Sequence, residues 1–238
     1  FKLPFVFYVI SKSKLLYKFF GFILVFMTFI TLILVSSRAS FISLSFIMIL
    51  LLFSSFRDFT IKSFFEKLFS LFLLITSIFL ITLLPSDNLS VVTRINSINS
   101  SDVSANYRLE LWENASDYIY NHPFIGCGLG NWKLESLPYW KDMLTGYTIP
   151  YHAHNDFLEL TAEIGLFGGL CYLLVFVLIF FIGFKRLFIS RSYMPFLLIS
   201  LLVVYFIDAF FNFPIERAIS QVNFALLLCV TFIVKNNE

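Results

Sequence analysis

Long apolar stretches separated by short polar segments dominate the pattern along this chain. Each of six stretches is long enough to cross or nearly cross a bilayer, because an apolar core about 30 Å thick takes about 20 helical residues. Backbone groups in lipid must be paired within the segment, so each stretch is predicted to be a transmembrane helix. The six stretches are residues 19–37, 39–56, 68–84, 157–184, 194–213 and 219–234.

This pattern divides the chain into three parts. Residues 1–84 are expected to hold about three N-terminal spans, residues 85–156 a polar loop domain, and residues 157–238 about three C-terminal spans. The apolar run at 3–10 resembles the end of an earlier span, and no initiator Met is present, so we expect a C-terminal fragment. The predicted fold class is an all-α, polytopic integral membrane protein.

Composition supports this fold class and excludes a soluble globular domain. Apolar residues make up 59% of the chain and charged residues 13%, against roughly 45–50% and about 25% in soluble domains. The net charge of +2 does not indicate a nucleic-acid partner. Three cysteines are too few for a disulfide framework.

The positions of the basic residues predict the orientation in the membrane. Lys and Arg cluster at 12–18, 57–67 and 185–191, with Lys235 after the last span. With six spans these clusters all fall on one side, which the positive-inside rule assigns to the cytoplasm. The loop domain 85–156 is then expected on the extracytoplasmic side.

A helix is expected within the loop domain at 105–121. The residues that would share its apolar face recur at helical spacing: Leu109, Trp112, Ser116 and Ile119. Asp102 or Ser104 could cap its start, and His122-Pro123 would end it.

The densest group of polar side chains lies where the loop domain meets the fourth span: His152, His154, Asn155, Asp156, Glu159 and Glu163. Asn155 or Asp156 can cap that helix. The positive end of the helix dipole favours neutral imidazole, which can accept a proton, and also favours a nearby phosphate. Glu159 and Glu163 share a face and could orient a histidine or bind a sugar hydroxyl. The alternative is that these groups only cap and anchor the helix.

Other ionisable residues also lie at the outer ends of the predicted spans: Arg38, Asp208, Glu216 and Arg217. A transporter would be expected to place its binding groups near the bilayer midplane. The observed depth disfavours a transporter or scaffold and favours a site at the outer membrane surface, open to a lipid-borne substrate.

Several further residues have simple structural interpretations. The Gly-x-Gly-x-Gly run at 126–130 predicts a turn, because no strand precedes it as in a phosphate-binding loop. The glycines of 165–169 are expected to allow close helix packing. Arg108 is either a solvated residue or a phosphate ligand, and His122 is expected to be a helix-end residue. The His-Ala-His spacing matches no zinc signature, so no metal site is predicted.

Four segments, in this order, resemble the O-antigen ligase and polymerase superfamily of bacterial envelope glycosyltransferases. Residues 36–39 resemble its Ser-Arg-Gly element, with Ala in place of the usual Gly. Residues 108–112 and 122–130 resemble its Arg, Trp, then Pro-x-x-Gly-x-Gly-x-Gly pattern. Residues 154–168 fit the ligase pattern of His-Asn, nine residues and Gly-x-x-Gly, and 208–217 are similar to the penultimate loop.

The resemblance implies a GT-C-like glycosyltransferase of the cytoplasmic membrane, with its active site on the periplasmic face. It implies a glycan donor on undecaprenyl diphosphate and transfer to a hydroxyl of the lipid A-core, by inversion and without nucleotide sugar, cofactor or metal. His154 would be the general base, with Glu159 and Glu163 as further catalytic candidates. The implied substrate-binding residues are Arg38, Arg108, Trp112, His152, Asn155 and Arg217, and the arginines would hold the diphosphate.

Other activities remain open from the residues alone. A polysaccharide polymerase would use the same donor but extend another lipid-linked glycan, and a protein O-oligosaccharyltransferase is a third enzyme class. The non-enzyme alternative is an envelope polysaccharide transporter or scaffold.

Overall fold

The computed structural model consists of helices joined by turns and loops, with no strands in the residues it describes, which are 3–12, 14–35, 38–57, 61–82, 103–140, 151–189 and 194–233. The α-helices are α1 Leu3–Lys12, α2 Leu15–Val35, α3 Arg38–Arg57, α4 Ile61–Thr82, α5 Val103–Asn121, α6 Trp132–Glu135, α7 Asp156–Ile189, α8 Met194–Phe211 and α9 Ala218–Ile233. Short 3₁₀ helices lie at Leu137–Trp140 and Pro214–Glu216.

Three of the described helices are long and apolar enough to cross a bilayer: Leu15–Leu34, Asp156–Ile189 and Met194–Phe211. These coincide with the first, fourth and fifth predicted spans. Shorter apolar helices at Ala39–Leu51 and Ala218–Thr231 fall within the second and sixth. Residues 85–102, at the start of the predicted loop domain, lie outside the described residues.

The structure divides into two units. The first consists of Phe1–Asn99, Ile182–Val204 and Val234–Glu238. Its described core is apolar and includes Phe7, Val25, Phe29, Leu44, Ile47, Leu51, Phe196 and Ile199. Lys18 of α2 pairs with Glu66 of α4, which ties these two helices together by an ion pair.

The second unit consists of Ser100–Phe181 and Tyr205–Ile233, and α5 contributes half of the residues in its small described core. α5 buries Leu111, Ala115 and Tyr118. The expected apolar face through Leu109 and Ser116 is therefore wrong, since Leu109 is 58% exposed. The reason is tertiary, because the ring of Tyr118 packs edge-on against that of Trp132, with 5.5 Å between centroids.

A break at Gly165 interrupts α7, so this helix consists of a short segment, 156–164, and a long segment, 166–189. Gly165 has φ 75° and ψ 174°, a backbone conformation that is essentially restricted to glycine. The expectation that Gly165 serves close packing within one continuous span is therefore corrected. Gly169 lies against the side chain of Thr161, so it packs the long segment against the short one.

Candidate functional site

Residues 123–130, which we call the glycine loop, close the broken end of the short segment of α7. The amide of Cys127 donates to the carbonyl of Ala162 at 3.0 Å, and that of Gly128 to the carbonyl of Glu163 at 2.8 Å. The last carbonyls of a helix have no partner within the helix. The loop therefore supplies the donors that the break at Gly165 would otherwise leave missing.

The glycines of this loop are required by its conformation. Gly126, Gly128 and Gly130 have φ values of 67°, 90° and 76°, in the left-handed region. A Cβ on Gly126 would overlap the carbonyl oxygens of Ala162 and Glu163. The turn predicted for this run is confirmed. Its backbone packs closely against the end of the short segment of α7.

The carboxylate of Glu163 also accepts hydrogen bonds from the backbone at the end of the glycine loop and just after it. It is buried, and its Oε1 accepts a hydrogen bond from the amide of Trp132 at 3.3 Å. The backbone of Gly130 donates to the same carboxylate. Of the two acidic residues expected to orient a histidine, Glu163 instead orients the loop.

The start of α7 is capped and tied to a distant turn. The Asn155 Oδ1 accepts from the amides of Phe157 and Leu158 at 3.0 and 3.2 Å, so Asn155 is the N-cap of the two predicted candidates. The fully buried Asp156 accepts from the amide of Ile215 through its Oδ2 at 3.1 Å. This bond joins the helix start to the turn that precedes α9.

Glu159 holds the segment that carries the two histidines. Its Oε1 accepts from the ring Nδ1–H of His152 at 2.8 Å, and its Oε2 accepts from the amide of Ala153 at 2.9 Å. His154 lies between these hydrogen bonds to Glu159 and the Asn155 cap, and it has a φ of 53°. A non-glycine residue in the left-handed region needs such support from its neighbours.

The ring of Phe213 contacts three candidate site residues. His152 stacks on it with 4.1 Å between centroids and an interplanar angle of 15°. His154 meets it edge-on at 5.1 Å, and the guanidinium carbon of Arg217 lies 4.7 Å from its centroid. Sequence reasoning did not assign Phe213 to the site. The available signal was its place in a Phe-Pro turn beside Glu216 and Arg217.

The two histidines have opposite electrostatic environments. The hydrogen bond to Glu159 raises the pKa of His152 above its usual value, although burial opposes the shift. Burial lowers the pKa of His154, and the positive charges of Arg108, His152 and Arg217 lower it further. The Nδ1 of His154 is buried with no hydrogen-bond partner among the described residues. The site therefore favours the protonated form of His152 more than that of His154.

Trp112 and Arg108 lie one turn apart on α5. Trp112 packs edge-on against Phe210 at 5.5 Å, and its buried Nε1–H has no hydrogen-bond partner within the described part of the chain. The influence of Arg108 on the pKa of His154 brings α5 into the same electrostatic environment as the histidines. Arg38 begins α3 in the first unit, and its side chain lies outside the described part.

The described residues contain no group of three or more His, Cys, Asp or Glu side chains that could hold a metal ion. The functional groups that do converge are two imidazoles, a carboxylate and two guanidinium groups. Such a set can accept a proton and neutralise an anionic leaving group.

Comparison with known proteins identifies the family. Comparison with curated proteins finds no match. The family model described as O-antigen ligase matches residues 22–173, which include the glycine loop, both histidines and the break at Gly165. This match covers more than half of the sequence, and the chain therefore belongs to the O-antigen ligase family.

Proposed function

We propose that this protein transfers a glycan from undecaprenyl diphosphate to a hydroxyl of the lipid A-core, at the outer face of the cytoplasmic membrane. The family assigns it broadly to O-antigen ligase or polymerase-type transfer with lipid-linked substrates. The observation that supports the finer proposal is His154, whose pKa is lowered by burial and further by the positive charges of Arg108 and Arg217, which favours the neutral imidazole.

The transfer step follows from these groups. His154 takes the proton of the acceptor hydroxyl as its oxygen attacks the anomeric carbon of the donor glycan. The bond from that carbon to the phosphate oxygen breaks, and undecaprenyl diphosphate leaves with the electron pair. Arg108 and Arg217 stabilise the charge on the departing diphosphate, and attack from the opposite face inverts the anomeric centre.

The acidic residues have positioning roles in this proposal. Glu159 favours the protonated form of His152 and fixes the backbone segment that carries His154. Glu163 holds the glycine loop against the short segment of α7. Trp112 offers its indole N–H, which has no partner in the described part of the chain, to an oxygen of the substrate. Arg38 is proposed as a further diphosphate ligand from its sequence position.

The experiment compares envelope glycans from a strain lacking this protein, complemented with wild type or a His154→Asn variant. Loss of all polymer from lipid A, restored only by the wild type, supports a ligase. Lipid A that carries a single repeat unit identifies a polymerase instead. Full restoration by the variant would exclude His154 as the base.

The proposed face is tested by cysteine labelling. Glu113 is exposed on α5, and Ile189 is exposed at the end of α7. With the free cysteines Cys127, Cys171 and Cys229 replaced, an impermeant maleimide applied to intact cells should label Glu113→Cys but not Ile189→Cys, because the basic clusters lie on the side of Ile189. The reverse pattern would place the site in the cytoplasm.

A further inference from the structure

Two large apolar side chains at the tip of the glycine loop are almost fully exposed. Phe124 is 85% exposed and Ile125 is 83% exposed, and Leu129 further along the loop is 72% exposed. The loop backbone is tightly held by its bonds to the short segment of α7, so this exposure does not come from a loosely attached segment. An exposed cluster of this kind on a rigid loop indicates a contact surface.

The tip lies beside the start of the long segment of α7. The amide of Leu166, the first residue of that segment, donates to the carbonyl of Pro123 at 2.8 Å. A Cβ on Gly165 would overlap the carbonyl of Phe124. Phe124 and Ile125 are therefore adjacent in space to the first turn of the long segment.

The exposed apolar surface continues from the tip along this segment. Its outward residues on successive turns are Leu166, Phe167, Leu170, Leu174 and Leu178, each between 47% and 79% exposed. Positions 166–184, which end before Lys185, rise about 28 Å at 1.5 Å per residue. That rise matches a hydrocarbon core of about 30 Å, which puts Leu166 at the boundary of the core.

We propose that Phe124 and Ile125 insert into the bilayer at this boundary, in the leaflet nearest the histidines. The partner is the lipid surface itself, because the tip is continuous with the lipid-facing side of a membrane helix. Apolar residues at an interface bury about 5–10 Å into the headgroup and acyl boundary. Phe124 and Ile125 thereby anchor the loop that closes the end of the short segment of α7.

This contact has a consequence for substrate binding, which rests on the proposed function. The short segment of α7 is fixed to the anchored loop at one end and carries His154 before its other end, about 13 Å away along the helix. The base is then held within reach of the headgroup region, where the diphosphate of a lipid-linked donor lies.

The test measures the depth of the tip directly and does not depend on transfer activity. A fluorophore is attached at Ile125→Cys, or at Glu113→Cys as an exposed polar control, after the free cysteines Cys127, Cys171 and Cys229 are replaced. The protein is reconstituted in vesicles of phosphatidylethanolamine and phosphatidylglycerol. Nitroxide lipids labelled near the top of the acyl chain should quench the residue 125 site and blue-shift its emission, whereas aqueous iodide should quench the residue 113 site.

Iodide quenching at residue 125 equal to that at residue 113 would overturn the proposal. A second outcome would also overturn the proposal: residue 125 is shielded from iodide but not quenched by the nitroxide lipids, and the shielding disappears when the protein is diluted in lipid. That outcome would show that the tip contacts a second copy of the chain. A Phe124→Ser, Ile125→Ser double variant should reduce transfer, while Phe124→Leu, Ile125→Leu should retain it. Lipid quenching with no transfer in the wild type would contradict the proposed function alone.

Discussion

The buried serines of the first unit and two buried acidic residues of the second find their hydrogen-bond partners in different ways. In the first unit the buried Ser70 and Ser77 donate to carbonyls of their own helix, four residues back, at 3.0 and 2.7 Å. In the second unit Asp156 and Glu163 accept from amides 59 and 31 residues away. These serines are satisfied within their own helix, whereas these two carboxyl groups join distant segments.

This difference explains where the candidate site is found. Helices paired through apolar side chains accept many side-chain combinations of similar volume. Buried carboxyl groups require donors at particular positions, because a buried polar group without a hydrogen bond is costly. We therefore expect the short segment of α7 and the segments that bind it to tolerate fewer substitutions than the apolar helix contacts of the first unit. The following substitutions test this difference.

The largest effect is expected for Gly165→Ala. The new side chain would adopt a glycine-only conformation, at a cost of about 1–3 kcal/mol, and would also overlap the carbonyl of Phe124. In the first unit, Gly183→Ala is the matched control, because its Cβ would meet only side-chain atoms of Ile199, the nearest at 3.0 Å. Thermal unfolding in detergent should show a large loss for Gly165→Ala and a change within about 1 kcal/mol for the control.

The second-largest effect is expected when the proposed base, His154, is removed. His154→Asn retains a residue type that tolerates the left-handed backbone but removes the imidazole. Transfer from a polyprenyl-diphosphate glycan should fall by at least about 10²-fold while the thermal midpoint changes little. His152→Asn should cost less. Equal losses in the two variants would contradict the separate roles of the histidines.

Phe213→Leu should have an intermediate effect. Leucine keeps the site apolar but loses the stacking with His152 and the contact with Arg217, together worth about 1–2 kcal/mol, or roughly tenfold in rate. Water reaching His154 should raise its pKa towards 6.5 and move the acid limb of the rate profile to higher pH. Phe213→Tyr should restore both rate and profile, whereas an unchanged profile in Phe213→Leu would limit Phe213 to general packing.

The smallest effect is expected for Glu159→Gln, which should lower thermal stability by an amount that depends on pH. The pKa of His152 is raised in the folded protein, so its interaction with Glu159 stabilises fully below the unfolded pKa of about 6.5. That stabilisation is lost as pH rises through the higher folded pKa. The difference in thermal midpoint between wild type and variant should therefore be largest in mild acid and shrink in alkali. A constant difference would show that the bond to Ala153 alone matters.

Local patterns predicted those features that depend on neighbouring residues. Apolar length indicated the helices of the membrane region, the Asn-Asp pair indicated the cap of α7, and the glycine run indicated a turn. His122 is the helix-end residue expected, since its amide donates to the carbonyl of Tyr118. Each of these follows from backbone hydrogen bonding within a few residues.

Local sequence patterns did not predict the features that depend on contacts between distant segments. Periodicity along α5 did not identify its buried face, because Trp132 decides which side is covered. Gly165 was indistinguishable from a packing glycine, since its role depends on the carbonyl of Phe124.

The sequence by itself determined a helical membrane protein with its titratable residues grouped at the helix ends, because apolar length and charge position are properties of the linear chain. Only the tertiary structure decided that Glu159 meets His152 while Glu163 meets Trp132. It also brought Phe213 under both histidines. The physical reason is that a buried polar or aromatic group is placed by whichever distant partner satisfies it, and the identity of that partner is not encoded in local spacing.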